Sequence, residues 1–223
     1  DVVVVRASAF DATKIVGTLD AQPLRFSRVG TDGLDYIGLA GVDSLRPPGR
    51  YAIIVTATLR TGIVLTASAI LNLLDARFQM EAVTLPASLV HTIDPLVSAT
   101  EEAEVSAVYV DYTEPQRWGG VFRAPIKGNV ISHYGHRRTY NGIDLGTFHA
   151  GVDFSALEGR PVTAAASGRV AFVKRLTVRG NTVIIDHGRG VYTSYAHMSK
   201  SVVKLGQLVS KGEKIGEVGS TGR

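Results

Sequence analysis

The 223-residue sequence contains no cysteine. That excludes disulfide staples and thiolate metal sites, so a zinc ion here would have to be held by His, Asp or Glu. Long apolar runs are missing as well. The most apolar stretch, GIVLTASAILNLL (Gly62–Leu74), has 13 residues, short of the ~20 that a membrane-spanning helix needs. The opening DVVVVR has neither an initiator Met nor a basic region ahead of an apolar run, so it is not read as an intact signal peptide. Tryptophan occurs once, at Trp118, and is expected to pack near a domain junction rather than to bind sugar.

What is present is apolar and glycine-rich. Apolar residues make up 45% of the chain, enough for a sizeable core, and most of the 24 glycines lie in the second half. The length suits one large domain or two ordinary ones. The formal charge of +4 is spread unevenly. Residues 1–120 carry 9 Lys/Arg against 14 Asp/Glu, whereas residues 121–223 carry 15 against 6, a net of +9. A basic half suits an anionic polymer nearby, whether nucleic acid, anionic lipid or bacterial wall material, and it also suits ordinary solubilising charge.

The first part reads as β. Short runs rich in Val, Ile, Thr and Phe, from VVVVRASAF to GIVLTASAIL, are separated by turn residues at Thr31-Asp32-Gly33 and Pro47-Pro48-Gly49. Spacings of about 8–12 residues between turns predict a small β-sandwich-like module over residues 1–77. Residues 78–120 are predicted to be a connector. FQMEAVTL suits one more strand, and LVSATEEAEVSAVYV after Asp94-Pro95 suits a helix. Pro115 and Gly119-Gly120 mark a linker. From Val121 onward the chain is predicted to be glycine-punctuated antiparallel β. A weak echo between GRPVTAAASGRVAFV and VKLGQLVSKGEKIGEV resembles the turns of biotinyl/lipoyl-type barrels, but the Asp-Lys carrier motif is absent.

Two stretches carry chemistry. FHAGVDF puts His149 and Asp153 four residues apart around Gly151. On an extended strand, positions i and i+4 face the same side, and imidazole plus carboxylate suits zinc. The spacing H-x-x-x-D is common, so the pair by itself fits either half a metal site or a polar break between strands. The second stretch, NTVIIDHGRGVYTSYAHM, reads as a hairpin turning at Gly188-Arg189-Gly190. Parity then puts Val183, Ile185 and His187 on one face with Thr193, Tyr195 and His197. His187 is either a satisfied polar residue beside the turn or a functional one, and His197 stands at a strand end where loops begin.

Together FHAGVDFSALEGRPVTAAASGRV, GNTVIIDHGRGVYTSYAHMS and VKLGQLVSKGEKIGEVGSTG resemble the lysostaphin-type zinc metallopeptidases, metallopeptidase family 23, over about residues 121–223. The resemblance implies a mainly β chain, with a barrel-sandwich hybrid-like catalytic domain behind the β-sandwich-like module. It implies Zn2+ as cofactor, peptidoglycan peptide as substrate, no nucleic-acid partner, and a place in the bacterial envelope, periplasmic or secreted. His149 and Asp153 match the first two zinc ligands and His197 a catalytic histidine. Tyr140 corresponds to an upstream tyrosine that helps hold the tetrahedral intermediate. His133 and His136 match no metal position. The family's next motif is His-x-His after GSTG, where the second histidine is the third ligand. The present sequence runs to GSTGR without it, so the domain is read as truncated before that motif. The rival expectation is a zinc-deficient family member that regulates other wall hydrolases. A non-catalytic wall-binding module is a third, resting on residues 1–77 alone.

Overall fold

The structure, a computed structural model, describes residues 1–30 and 33–223. Thr31 and Asp32 of the expected turn therefore lie outside the described residues. The chain divides into two compact units, Asp1–Arg77 and Phe78–Arg223, so residues 78–120 belong with the second.

The first unit is six strands: β1 (Val2–Ser8), β2 (Ala12–Leu19), β3 (Gln22–Val29), β4 (Asp35–Gly41), β5 (Gly49–Leu59) and β6 (Val64–Leu73). They form one antiparallel sheet in the order β1-β4-β3-β2-β5-β6. Alternation decides which face is inward, as in β1, where Val3 and Val5 turn inward and their neighbours stay exposed. Val3 and Val5 from one edge strand and Leu71 and Leu73 from the other pack on the same cluster of Leu19, Leu24, Ala40, Val42 and Ile53. Opposite edges can share a cluster only if the sheet curls, so the expected sandwich is built from a single strongly curled sheet.

The second unit begins with β7 (Met80–Val83), a 3-10 segment (Ala87–Ile93) and helix α1 (Pro95–Val108). Asp94 caps α1 by accepting from the Leu96 amide at 2.8 Å, and Pro95 fills the first turn. Then come β8 (Asn129–Ser132), β9 (Arg137–Tyr140), β10 (Ile143–Phe148), β11 (Asp153–Ser155), β12 (Pro161–Thr163), β13 (Gly168–Arg175), β14 (Asn181–Asp186), β15 (Tyr192–Met198), β16 (Lys200–Ser201), β17 (Leu208–Val209) and β18 (Lys214–Glu217).

Its main core lies between the sheets β15-β14-β13-β17 and β12-β18-β16. Val170, Val183, Ile185, Tyr195, Val209 and Ile215 meet there. Helix α1 covers the opposite face of the larger sheet, where Val105 packs on Leu176 and Ile184. The Asp111–Trp118 stretch is tied to the hairpin turn: Thr113 donates to the Asp186 carboxylate at 2.9 Å, and the Arg117 amide donates to the His187 carbonyl at 2.8 Å. Two smaller sheets, β10-β9-β7 and β11-β8, complete the unit. One pairing is parallel: β7 lies beside β9 with Glu81 opposite Arg138.

Candidate metal centre

His149 and Asp153 meet. Nε2 of His149 lies 3.0 Å from Oδ1 of Asp153. The reason differs from strand parity. Extended residues four apart are separated by about 13 Å along the strand, too far for that contact. Instead β10 stops at Phe148, the chain bends through Gly151, and β11 starts at Asp153. The backbone of His149 is fixed on both sides. Its amide donates to the His136 carbonyl at 2.7 Å, and its carbonyl accepts from the Gly135 amide at 2.8 Å. His133 and His136 thus serve this corner through their backbone; their rings tilt against each other at 5.7 Å.

The protons around His149 can be counted. Nδ1 lies 3.0 Å from the His133 carbonyl oxygen, which can only accept, so Nδ1 carries a hydrogen. Neutral imidazole then presents a bare lone pair at Nε2, aimed at a carboxylate oxygen. A cation is needed between two such atoms, either a second ring proton or a metal ion. Two ligand atoms on a tetrahedral zinc stand about 3.3 Å apart, close to the separation found, and a histidine whose other nitrogen binds a carbonyl is the common orienting arrangement. The pair therefore fits two positions of a zinc site. Among the described residues, no group of three His, Asp or Glu side chains is arranged to hold a metal ion.

A second layer surrounds the pair. Arg138 donates from Nη2 to Oδ2 of Asp153 and to Oγ of Ser132, and from Nε to Glu81, each at 2.8 Å. Ser132 donates to the same Glu81 oxygen at 3.0 Å. Burial pushes the Asp153 carboxyl up, but the hydrogen bonds from His149 and Arg138 outweigh it and bring it down to about 2. Burial also raises Glu81, and hydrogen bonds from Arg138 and Ser132 reverse that and hold it below the usual carboxylate range. Tyr140, at the end of β9, is buried, with the Arg223 guanidinium over its ring at 4.3 Å.

His197 stands at the end of β15, but not on the face that alternation gives it. Ile185 pairs with Thr193 and Val183 with Tyr195 as expected, and then the register slips before Asn181 pairs with Met198. Tyr195 and Met198 both enter the core, so parity changes across His197, which adopts a φ of 59°. The bulge re-aims its side chain. Its Nδ1 meets the Thr221 carbonyl at 2.9 Å, and its amide donates to the Arg179 carbonyl at 2.8 Å. The GSTG segment is thereby held beside His197. Among the described residues, no hydrogen bond or ion pair joins His197 to His149 or Asp153.

His187 is a core residue. It is fully buried, with Nδ1 at 2.8 Å from the Ser167 carbonyl and Nε2 at 2.8 Å from Thr193 Oγ1. Burial pushes its imidazole down, favouring the neutral ring.

Residues 147–223 match the profile of Peptidase family M23. The chain carries an M23 peptidase domain. Relatives of the M23 domain include the cell division protein DipM of Caulobacter vibrioides, 34% identical over 141 residues, which are 63% of this chain and 21% of that protein. The peptidoglycan DD-endopeptidase ShyA of Vibrio cholerae is 38% identical over 103 residues, 45% of this chain and 24% of its own length. The chain thus spans about a quarter or less of these curated relatives. A structure from Pseudomonas aeruginosa described as an M23 peptidase covers 99% of this chain and 82% of its own, with a TM-score of 0.67 and 24% identity, a likeness of fold.

The M23 stretch contains His149, Asp153 and His197, all legible as motif residues. Glu81, Ser132 and Arg138 lie ahead of it, outside any motif. The signal available was SHYGHRRTYNG, whose paired arginines beside a short strand invite a search for an acidic partner.

Proposed function

We propose that this chain contributes the M23 domain of a zinc metalloendopeptidase that hydrolyses peptide bonds in bacterial peptidoglycan. The observation that carries the reading is the His149–Asp153 pair, its Nδ1 anchored on the His133 carbonyl, inside the stretch matched to the peptidase family. A zinc ion, when bound, lowers the pKa of a water toward ~7 and polarises the scissile carbonyl. In the proposal His149 Nε2 and Asp153 Oδ1 hold it. His197 moves the proton between the attacking water and the leaving amine, with Nδ1 kept on the Thr221 carbonyl so that Nε2 is the working nitrogen. Tyr140 is the proposed donor to the developing oxyanion. The net charge of +9 over residues 121–223 favours retention on an anionic wall, in the periplasm or outside the cell. No helix among the described residues is long and apolar enough to cross a membrane.

In this reading a His-x-His motif supplies the third ligand, as the family resemblance implies. Two experiments test the proposal. The codons following Arg223 should encode His-x-His within about ten positions, by the family pattern. The natural protein should release soluble muropeptides from purified peptidoglycan, and His149→Ala should abolish that release; undiminished release would refute the assignment. The rival reading is a zinc-deficient family member that regulates other wall hydrolases. It predicts no His-x-His and a stimulation of a separate hydrolase that survives His149→Ala.

A further inference from the structure

The planar guanidinium of Arg138 makes three 2.8 Å hydrogen bonds, to Glu81, Ser132 and Asp153. Its own side chain is 17% exposed, so these contacts are made largely out of water. Glu81 reaches it because β7 and β9 run parallel with the two residues opposite each other. Ser132 closes the ring: it accepts from Arg138, lies 3.1 Å from His149 Nδ1, and gives its one proton to Glu81. Of the four carboxylate lone-pair directions on Asp153, one on Oδ2 is engaged by Arg138, while Oδ1 faces His149.

We infer that Arg138, anchored by Glu81, is a positioning residue for the metal pair: it occupies Oδ2 of Asp153 and leaves Oδ1 alone to a divalent cation, enforcing one-oxygen coordination. The inference rests on the reading of His149 and Asp153 as ligands. A free carboxylate could swing to offer both oxygens or rotate away from His149; the Nη2 bond to Oδ2, from a guanidinium itself held by Glu81 and Ser132, opposes both. A lone arginine next to a metal ion would repel it, and Glu81 cancels that charge. The arrangement also makes β7, far upstream of the family-matched stretch, part of the working domain. Arg138 acts on the metal pair through Asp153.

The test is calorimetric titration of Zn2+ into the full chain and into Glu81→Gln, Arg138→Lys and His149→Ala. Glu81→Gln and Arg138→Lys should each weaken Zn2+ binding about ten- to a hundredfold, the range for partners that orient metal ligands. His149→Ala should remove binding. Arg138→Lys keeps the positive charge but lacks the planar fork, so its loss reports geometry. The carboxylate stretching bands of the Zn2+-loaded chain should show the wide splitting of one-oxygen coordination, and Arg138→Lys should narrow it, a change that simple destabilisation would not produce. If Glu81→Gln melts early, Arg138→Lys decides alone. Wild-type affinity and splitting in a folded Arg138→Lys, with binding still lost in His149→Ala, would overturn the positioning role only. Absence of Zn2+ binding in the wild type, unchanged by His149→Ala, would overturn the metal reading and this inference with it.

Discussion

Glu101 gives the sharpest test of how the second unit is held. It sits on α1 and is 5% exposed. Its carboxylate accepts from the Val178 amide at 2.7 Å, the Arg179 amide at 3.0 Å and Arg179 Nη1 at 2.9 Å. It therefore ties the helix to the 178–180 loop, whose Arg179 carbonyl in turn accepts from the His197 amide. Truncation to Ala leaves two amides without an acceptor and takes a half-buried guanidinium off the buried one of its two carboxylate partners. Each half-buried amide costs about 1 kcal/mol, and the lost ion pair, discounted because Arg179 is 27% exposed, adds a similar amount. The expected loss for Glu101→Ala is about 3 kcal/mol, a fall of roughly 6–12 °C in the melting midpoint of the unit. Glu101→Gln keeps one acceptor and should lose about half as much. Glu102 is the control: it meets Arg179 Nη2 at 2.6 Å but is 59% exposed, so Glu102→Ala should cost less than ~0.5 kcal/mol. Urea and thermal unfolding of the full chain measure all three, and amide exchange at Val178, Arg179 and His197 should accelerate in Glu101→Ala. Equal, small effects at positions 101 and 102 would refute the reasoning.

Other predictions follow from the same geometry. The Asp153 carboxyl, ordinarily near 3.8, sits at about 2 in the fold, so its contribution is present above pH 3.8 and is lost as the pH falls toward 2. At 38% side-chain exposure this amounts to about 1 kcal/mol; Asp153→Asn in a chelator-treated chain should flatten the acid-unfolding curve in that window, and an unchanged slope would contradict it. His187→Ala should cost about 3 kcal/mol by opening a cavity and taking the imidazole off the Ser167 carbonyl, with Thr193 left to its bond with Tyr195, while Zn2+ affinity stays at the wild-type value; a loss of affinity without loss of stability would make His187 functional after all. Gly168→Ala would bring a Cβ to 2.6 Å from the Asp186 carbonyl oxygen and 2.8 Å from His187 Nδ1, and chemical denaturation should record a loss of about 2–3 kcal/mol.

Much of this was readable one residue at a time. Asp94-Pro95 announces α1 because a capping carboxylate and a proline suit the two positions that start a helix. Gly188-Arg189-Gly190 announces the hairpin because all three adopt positive φ there. The curl of the first sheet was not legible, since alternation names an inward face but not how far the sheet bends round it. The register slip at His197 was hidden for a related reason: a bulge depends on the strand opposite, here Asn181 and the Arg179 carbonyl, not on the sequence of β15.

The sequence alone determined the chemistry on offer: no thiolate, a histidine and a carboxylate four residues apart, a second histidine at a strand end, and glycines spaced as in the peptidase family. Local rules reach these because motif spacing and turn residues act within a few positions. Tertiary structure decided the geometry. It brought His149 onto Asp153 by a bend rather than a strand, buried His187 among hydrogen bonds, and delivered Glu81 to Arg138 across 57 residues of chain. Hydrogen bonds act over about 3 Å, so only a closed fold can choose partners that the sequence keeps this far apart.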